Sequence, residues 1–287
     1  MLPHDNSVQN LLDTLKKAAE FLARKGLEKP RAEAEHLFAA ALGIKRLDLY
    51  LQFERLLTVA EVEKLRALTV RRGNREPLQH IIGRVQFRDL FLLSDKRALV
   101  PRPETEELVE WGLSLFPKDQ VIHVLDLGTG SGAIALALAS ERPQWKIDAV
   151  DQSLEALALA KENAAWCQVS DRVNFFSSHW FSQVTGKYDM ILANPPYLTE
   201  AEVAEAEPEV KDFDPRSALI AKEEGLADLK TILEQSPSFL RPGGCVLCET
   251  GIHHHAALAE ISRRVGYTEY SGKQDMSGRD RFWKAAG

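Results

Sequence analysis

The run Asp126-Leu127-Gly128-Thr129-Gly130-Ser131-Gly132 constrains this chain most, because its three glycines follow an apolar stretch at 121–125 and precede a helical pattern at 133–139. Glycine reaches backbone conformations closed to other residues. Such a loop turns tightly from a strand into a helix N-terminus and lets a ligand approach the main chain. Downstream the alternation repeats, with strand patterns at 146–150, 173–176, 188–193, 244–249 and 281–284 and helical patterns at 154–166, 225–239 and 256–265. The expected fold is therefore α/β, a doubly wound parallel sheet of Rossmann-like type with its ligand at the carboxyl ends of the strands.

The first part of the chain lacks that alternation. Ser7 can cap a helix carrying Val8, Leu11, Leu12, Leu15, Ala19 and Leu22 on one face and ending near Gly26. A second helix is expected at 30–42 with Gly43 as its stop, a third at 46–51, and a fourth after the capping box Thr58-Val59-Ala60-Glu61. Glu76-Pro77 breaks the helical pattern, and 85–87 and 90–93 flank Arg88-Asp89 as a hairpin. The organisation read from these signals is a small helical bundle at 1–75, a β-hairpin linker at 76–100 and the α/β domain at 101–287.

Net charge separates the two parts. Residues 1–90 carry 16 Lys+Arg against 12 Asp+Glu, a net of +4, whereas residues 91–287 carry 20 against 30, a net of −10. An acidic second part is a poor phosphate binder, which argues against direct nucleic-acid binding. The basic first part fits either an acidic partner or a solvated helical surface. No apolar run approaches a membrane span, and Met1-Leu2-Pro3-His4-Asp5 lacks the basic flank and apolar core of a secretory leader. Three cysteines make no disulfide framework, so the expected location is cytoplasmic.

Two features assign chemistry. Asp126 stands ahead of Gly128, Thr129, Gly130, Ser131 and Gly132, where a carboxylate would repel a pyrophosphate but attract the ammonium of a methionine moiety. That favours S-adenosylmethionine over a dinucleotide. Asp151 ends the next strand, where a carboxylate receives ribose hydroxyls or caps the following helix, and Trp180 after the third strand either stacks on adenine or packs in the core. The second feature is Asn194-Pro195-Pro196-Tyr197, directly after the strand at 188–193. Each proline restricts the residue before it, so Asn194 is held extended and its side-chain carbonyl is aimed. With the Pro195 backbone carbonyl it suits a planar NH2 group that has two hydrogens to donate, and Tyr197 offers an aromatic face to cover that plane.

Cys245-Val246-Leu247-Cys248 followed by His253-His254-His255 invites a metal reading, but residues three apart on a strand face opposite sides of a sheet. No metal site is expected.

With these residues assembled, the chain resembles the release factor glutamine methyltransferase family (PrmC/HemK type) over nearly its whole length. The likeness rests on Glu76-Pro77-Leu78-Gln79-His80-Ile81-Ile82-Gly83, Pro101-Arg102-Pro103-Glu104-Thr105-Glu106, the glycine loop, Asn194-Pro195-Pro196-Tyr197 and Asp275-Met276-Ser277-Gly278-Arg279-Asp280-Arg281. It departs from the family pattern at His80, where tyrosine is common, and at 251–255. The resemblance implies a seven-stranded methyltransferase domain behind a helical substrate-docking domain. It also implies transfer of a methyl group from S-adenosylmethionine, leaving S-adenosylhomocysteine, to the glutamine side-chain nitrogen in the Gly-Gly-Gln motif of class 1 peptide chain release factors. By the same likeness Gly128 to Gly132, Asp151, Trp180 and Asn194 line the cofactor site and Asn194 to Tyr197 hold the substrate amide. The residues alone leave open a ribosomal-protein glutamine, an exocyclic amine of adenine or guanine, and a cofactor-binding adaptor without turnover.

Overall fold

The protein is described by a computed structural model covering residues 9–287. In chain order the elements are α1 (Leu11–Arg24), α2 (Pro30–Leu42), α3 (Arg46–Leu51), α4 (Val59–Gly73), α5 (Leu78–Ile82), β1 (Arg84–Phe87), β2 (Leu90–Leu93), α6 (Pro103–Ser114), β3 (His123–Leu127), α7 (Ala133–Glu141), β4 (Lys146–Asp151), α8 (Leu154–Trp166), β5 (Val173–Ser177), β6 (Tyr188–Ala193), α9 (Glu200–Glu205), α10 (Pro208–Lys211), α11 (Ala227–Gln235), β7 (Leu240–Glu249), α12 (His255–Val265), β8 (Glu269–Gln274) and β9 (Asp280–Ala286). They divide into two compact units.

The first unit runs to Gly83 and includes Pro208–Phe213. Its core is Leu11, Leu15, Leu22, Leu37, Phe38 and Leu65, which recur at helical spacing on α1, α2 and α4. α1 begins at Leu11 with Asn10 as its cap, accepting from the Asp13 amide at 2.8 Å, so the helix starts later than the Ser7 signal implied. Ser7 and Val8 lie outside the described residues. Thr58 and Glu61 form the expected capping box of α4. Charge explains why a remote segment joins this unit: Arg72 pairs with Glu33 at 2.7 Å and with Glu209 at 2.8 Å, and Arg75 also reaches Glu209. The unit boundary at Gly83, rather than 75, reflects α5, whose Ile81 packs into the helical core.

The second unit holds a seven-stranded sheet of order β5-β4-β3-β6-β7-β9-β8. β3 to β7 pair in parallel, while β9 is antiparallel to both β7 and β8, so the sheet is mostly rather than wholly parallel. Only five residues separate β8 from β9, too few for a parallel crossover. Alternation puts Val124, Met190 and Leu192 in one core with Leu108 and Leu136, and Leu125, Ile191 and Val246 in the other with Leu229 and Leu258. Cys245 belongs to the first core and Cys248 to the second, as opposite-facing strand residues must. The β1–β2 hairpin packs Phe87 and Leu92 into the first core, so it is part of this unit and not a separate linker. β3 starts at His123 because exposed Val121 stays outside the pairing with β4. No helix among the described residues is long and apolar enough to cross a membrane.

Candidate active site

A cavity of about 340 Å³ opens at the carboxyl ends of β3, β4 and β6, inside the second unit. Leu127 of β3 pairs with Ala193 of β6, so Gly128 and Asn194 leave adjacent strands side by side, and both line the cavity. The glycine turn and the Asn-Pro-Pro-Tyr corner are thereby brought to one place.

On the glycine side, Gly128, Thr129, Gly130 and Ser131 face the cavity, together with Asp151 and Trp180. Gly128 has φ +70°, and a Cβ there would stand 3.3 Å from the Trp180 ring. A side chain would thus be strained and crowded at the point where a ligand meets main chain. Asp151 is tied down by amides, accepting from Gly130 at 2.9 Å and Ser153 at 2.8 Å. Burial pushes its pKa up, while those backbone donors draw it back. The cap of α8 is Ser153, so Asp151 shapes the loop and the cavity instead of capping. Trp180 adopts φ +47°, uncommon for a bulky residue, and its indole N–H donates to Asp228 at 3.1 Å. Asp228 also lines the cavity.

Asp126 and Gly132 do not line it. Asp126 is fully buried beneath the loop, where its Oδ2 accepts from the Thr129 hydroxyl at 2.6 Å and the Ala135 amide at 3.2 Å. Its Oδ1 has no hydrogen-bond partner among the described residues. Desolvation raises its pKa to about 7, against the lowering effect of the Thr129 hydrogen bond. A buried acceptor left open behind a main-chain cradle fits a cofactor with a cationic amino group, reached through a water and not directly. Gly132 is the left-handed cap of α7 at φ +85°.

On the other side, Asn194 and Pro196 line the cavity, whereas Pro195 is buried and Tyr197 is absent from the lining. Asn194 Nδ2 donates to Thr105 Oγ1 at 3.0 Å, and that hydroxyl donates to Glu249 Oε2 at 2.7 Å. Tyr197 donates to Glu249 Oε1 at 2.8 Å and carries the Arg281 guanidinium 5.7 Å from its ring centre. The ring is therefore anchored at its hydroxyl and occupied on one face, and the stacking role expected of it does not follow from its position. Burial raises the Glu249 pKa, with the Thr105 and Tyr197 hydrogen bonds and the Arg281 charge opposing. Arg102, also at the cavity, pairs with buried Asp214 at 2.7 Å.

Sequence reasoning missed Thr105, Glu249, Arg281, Asp214 and Asp228 as site residues. Thr105 and Arg281 sit inside quoted motifs without an assigned role, and Glu249 carried a signal in ending a strand at the ligand-binding edge of the sheet.

Comparison with known proteins places this geometry in context. Residues 13–83 match the family model described as PrmC N-terminal domain, and residues 111–208 match Methyltransferase small domain. A relative from Geobacter sulfurreducens called release factor glutamine methyltransferase is 38% identical over 262 residues, covering 91% of each chain. One of the same name from Deinococcus radiodurans is 38% identical over 96% of this chain and 98% of its own. Among solved structures, the N-terminal domain of human METTL16 in complex with SAH superimposes with a TM-score of 0.53 at 18% identity, covering 87% of this chain and 93% of that one. That likeness concerns the fold.

Proposed function

The chain belongs to the release factor glutamine methyltransferase family, and from that premise we propose that it methylates the side-chain amide nitrogen of the glutamine in the Gly-Gly-Gln motif of class 1 peptide chain release factors. The observation that carries this reading is the placement of Asn194 and the glycine turn around one cavity, from residues that pair across β3 and β6. Gly128 to Ser131, Asp151 and Trp180 would hold S-adenosylmethionine, with buried Asp126 favouring its cationic amino group from behind the loop, and the cofactor would supply a sulfonium methyl and leave as S-adenosylhomocysteine. The helical unit then serves to dock the protein substrate.

An amide nitrogen is a poor nucleophile because its lone pair is delocalised into its carbonyl, so orientation governs the rate. Asn194 gives its NH2 to Thr105, which leaves its carbonyl to accept from the substrate NH2. The Pro195 backbone carbonyl takes the second hydrogen. As the new N–C bond forms, positive charge grows on nitrogen and both hydrogens bind these fixed dipoles more tightly, which stabilises the transition state over the ground state. The methylated nitrogen afterwards loses a proton to water, so no side chain needs to act as a base beforehand.

Incubation with labelled S-adenosylmethionine and a purified class 1 release factor, followed by mass spectrometry, tests the reading. Label on the Gly-Gly-Gln glutamine, reduced at least about 100-fold in Asn194→Ala, is expected. Label confined to nuclease-sensitive material, or no label on that glutamine, overturns it.

A further inference from the structure

We infer that Glu249 and Thr105 are positioning residues that set which way round the Asn194 amide faces, and so decide whether the site offers the substrate an acceptor or a donor. This deepens the amide-methylation reading and rests on it. A hydroxyl has a single hydrogen. Thr105 spends its hydrogen on Glu249 Oε2 and Tyr197 spends its own on Oε1. The Thr105 oxygen is left only to accept, so the group it faces must be a donor: the NH2 of Asn194 at 3.0 Å. The carbonyl of Asn194 must then lie on the opposite side of the amide, away from Thr105. Thr105 and Glu249 are 5% and 1% exposed, so water does not compete for these bonds.

Arg281 makes the arrangement one-directional. Its guanidinium donates to the Tyr197 oxygen at 3.4 Å and to the Thr250 carbonyl at 3.1 Å, so Tyr197 faces a donor already and must send its own hydrogen to Glu249. Suppose Glu249 becomes glutamine, with the same shape and one end turned into a donor. Its NH2 cannot face Tyr197 without leaving the phenol hydrogen unplaced, so it faces Thr105. The Thr105 hydrogen is then released toward residue 194, and the Asn194 amide rotates to accept it. The cavity now meets the substrate NH2 with an NH2. A neutral, isosteric replacement two residues behind the group that touches substrate thus inverts the polarity of that group.

Glu249→Gln is expected to keep its thermal midpoint and its affinity for S-adenosylhomocysteine while kcat for the release factor falls at least about 100-fold. Combined with Asn194→Ala it should lose little more, because both act through one amide. Thr105→Val should lose rate in the same way, and Thr105→Ser should recover most of it. Independently of any substrate, nuclear Overhauser contacts between the Asn194 NH2 protons and the Thr105 methyl should be present in the wild type and lost in Glu249→Gln. A wild type without transfer overturns the substrate reading and leaves the Overhauser pattern to decide the inference. Unchanged contacts in Glu249→Gln, or additive losses in the double variant, overturn the inference itself.

Discussion

Gly225 holds the corner after Asn194 from behind, and replacing it by alanine separates backbone strain from displacement of the site. Gly225 has φ +82°, and a Cβ there would fall inside contact of the Tyr197 carbonyl oxygen and stand 3.0 Å from His254 Cε1. Neither neighbour is free to yield. His254 accepts from the Gly251 amide and meets the Glu224 carbonyl at 3.1 Å, while the Tyr197 carbonyl belongs to the stiff Asn-Pro-Pro-Tyr corner. Gly243 is the control, with φ +78° and open space within 4 Å. Gly243→Ala should cost only the left-handed term, about 1–2 kcal/mol. Gly225→Ala adds overpacking of about 1–3 kcal/mol, because the corner has to move by roughly 1 Å. A displacement of that size at the reacting centre lowers kcat by about 100-fold. Urea unfolding and release-factor methylation, measured on both variants, read the two effects. Equal stabilities and equal rates for the two variants would refute the reasoning, since the contact with Tyr197 would then carry no weight.

Gly128→Ala should weaken S-adenosylhomocysteine at least about tenfold by calorimetry, roughly 1.4 kcal/mol, because its Cβ meets the Trp180 ring at 3.3 Å; an unchanged affinity would show that the ring or the ligand gives way. Asp126 couples stability to pH. Its folded pKa is raised from 3.8 to about 7, so its contribution is fully present below pH 3.8, declines as pH rises and is gone above about 7, by on the order of 4 kcal/mol at most. Ligand-free wild type should therefore lose stability relative to Asp126→Asn across that window, and parallel denaturation curves from pH 4 to 8 would contradict this.

Periodicity made most of the fold legible. α2 lies between Pro30 and Gly43 because a proline suits a first turn and a left-handed glycine ends one, both visible in the sequence. β8 was invisible for an equally physical reason: Glu-Tyr-Ser-Gly-Lys-Gln is a solvated edge strand without alternating apolar residues, held by pairing with β9. The helical run expected at 225–239 shortened to 227–235, with left-handed Gly225 before it and Pro237 after it. In the site, Asn194 and the glycine loop were readable because restricted or permissive backbones leave local signatures. The use of Tyr197 was not, since its hydroxyl finds Glu249 only through the packing of β7 beside β6. Likewise, nothing near Arg72 in sequence announces Glu209, 137 positions away.

That last pairing limits how the molecule can be dissected. Because the helical unit borrows Pro208–Phe213 from the middle of the downstream chain, it is discontinuous, and a fragment cut after Gly83 would take Arg72, 7% exposed at its side chain, away from one of its two carboxylates. Studies of the amino-terminal unit in isolation therefore lose the Glu209 side of this pairing unless the hexapeptide is restored by circular permutation or in trans.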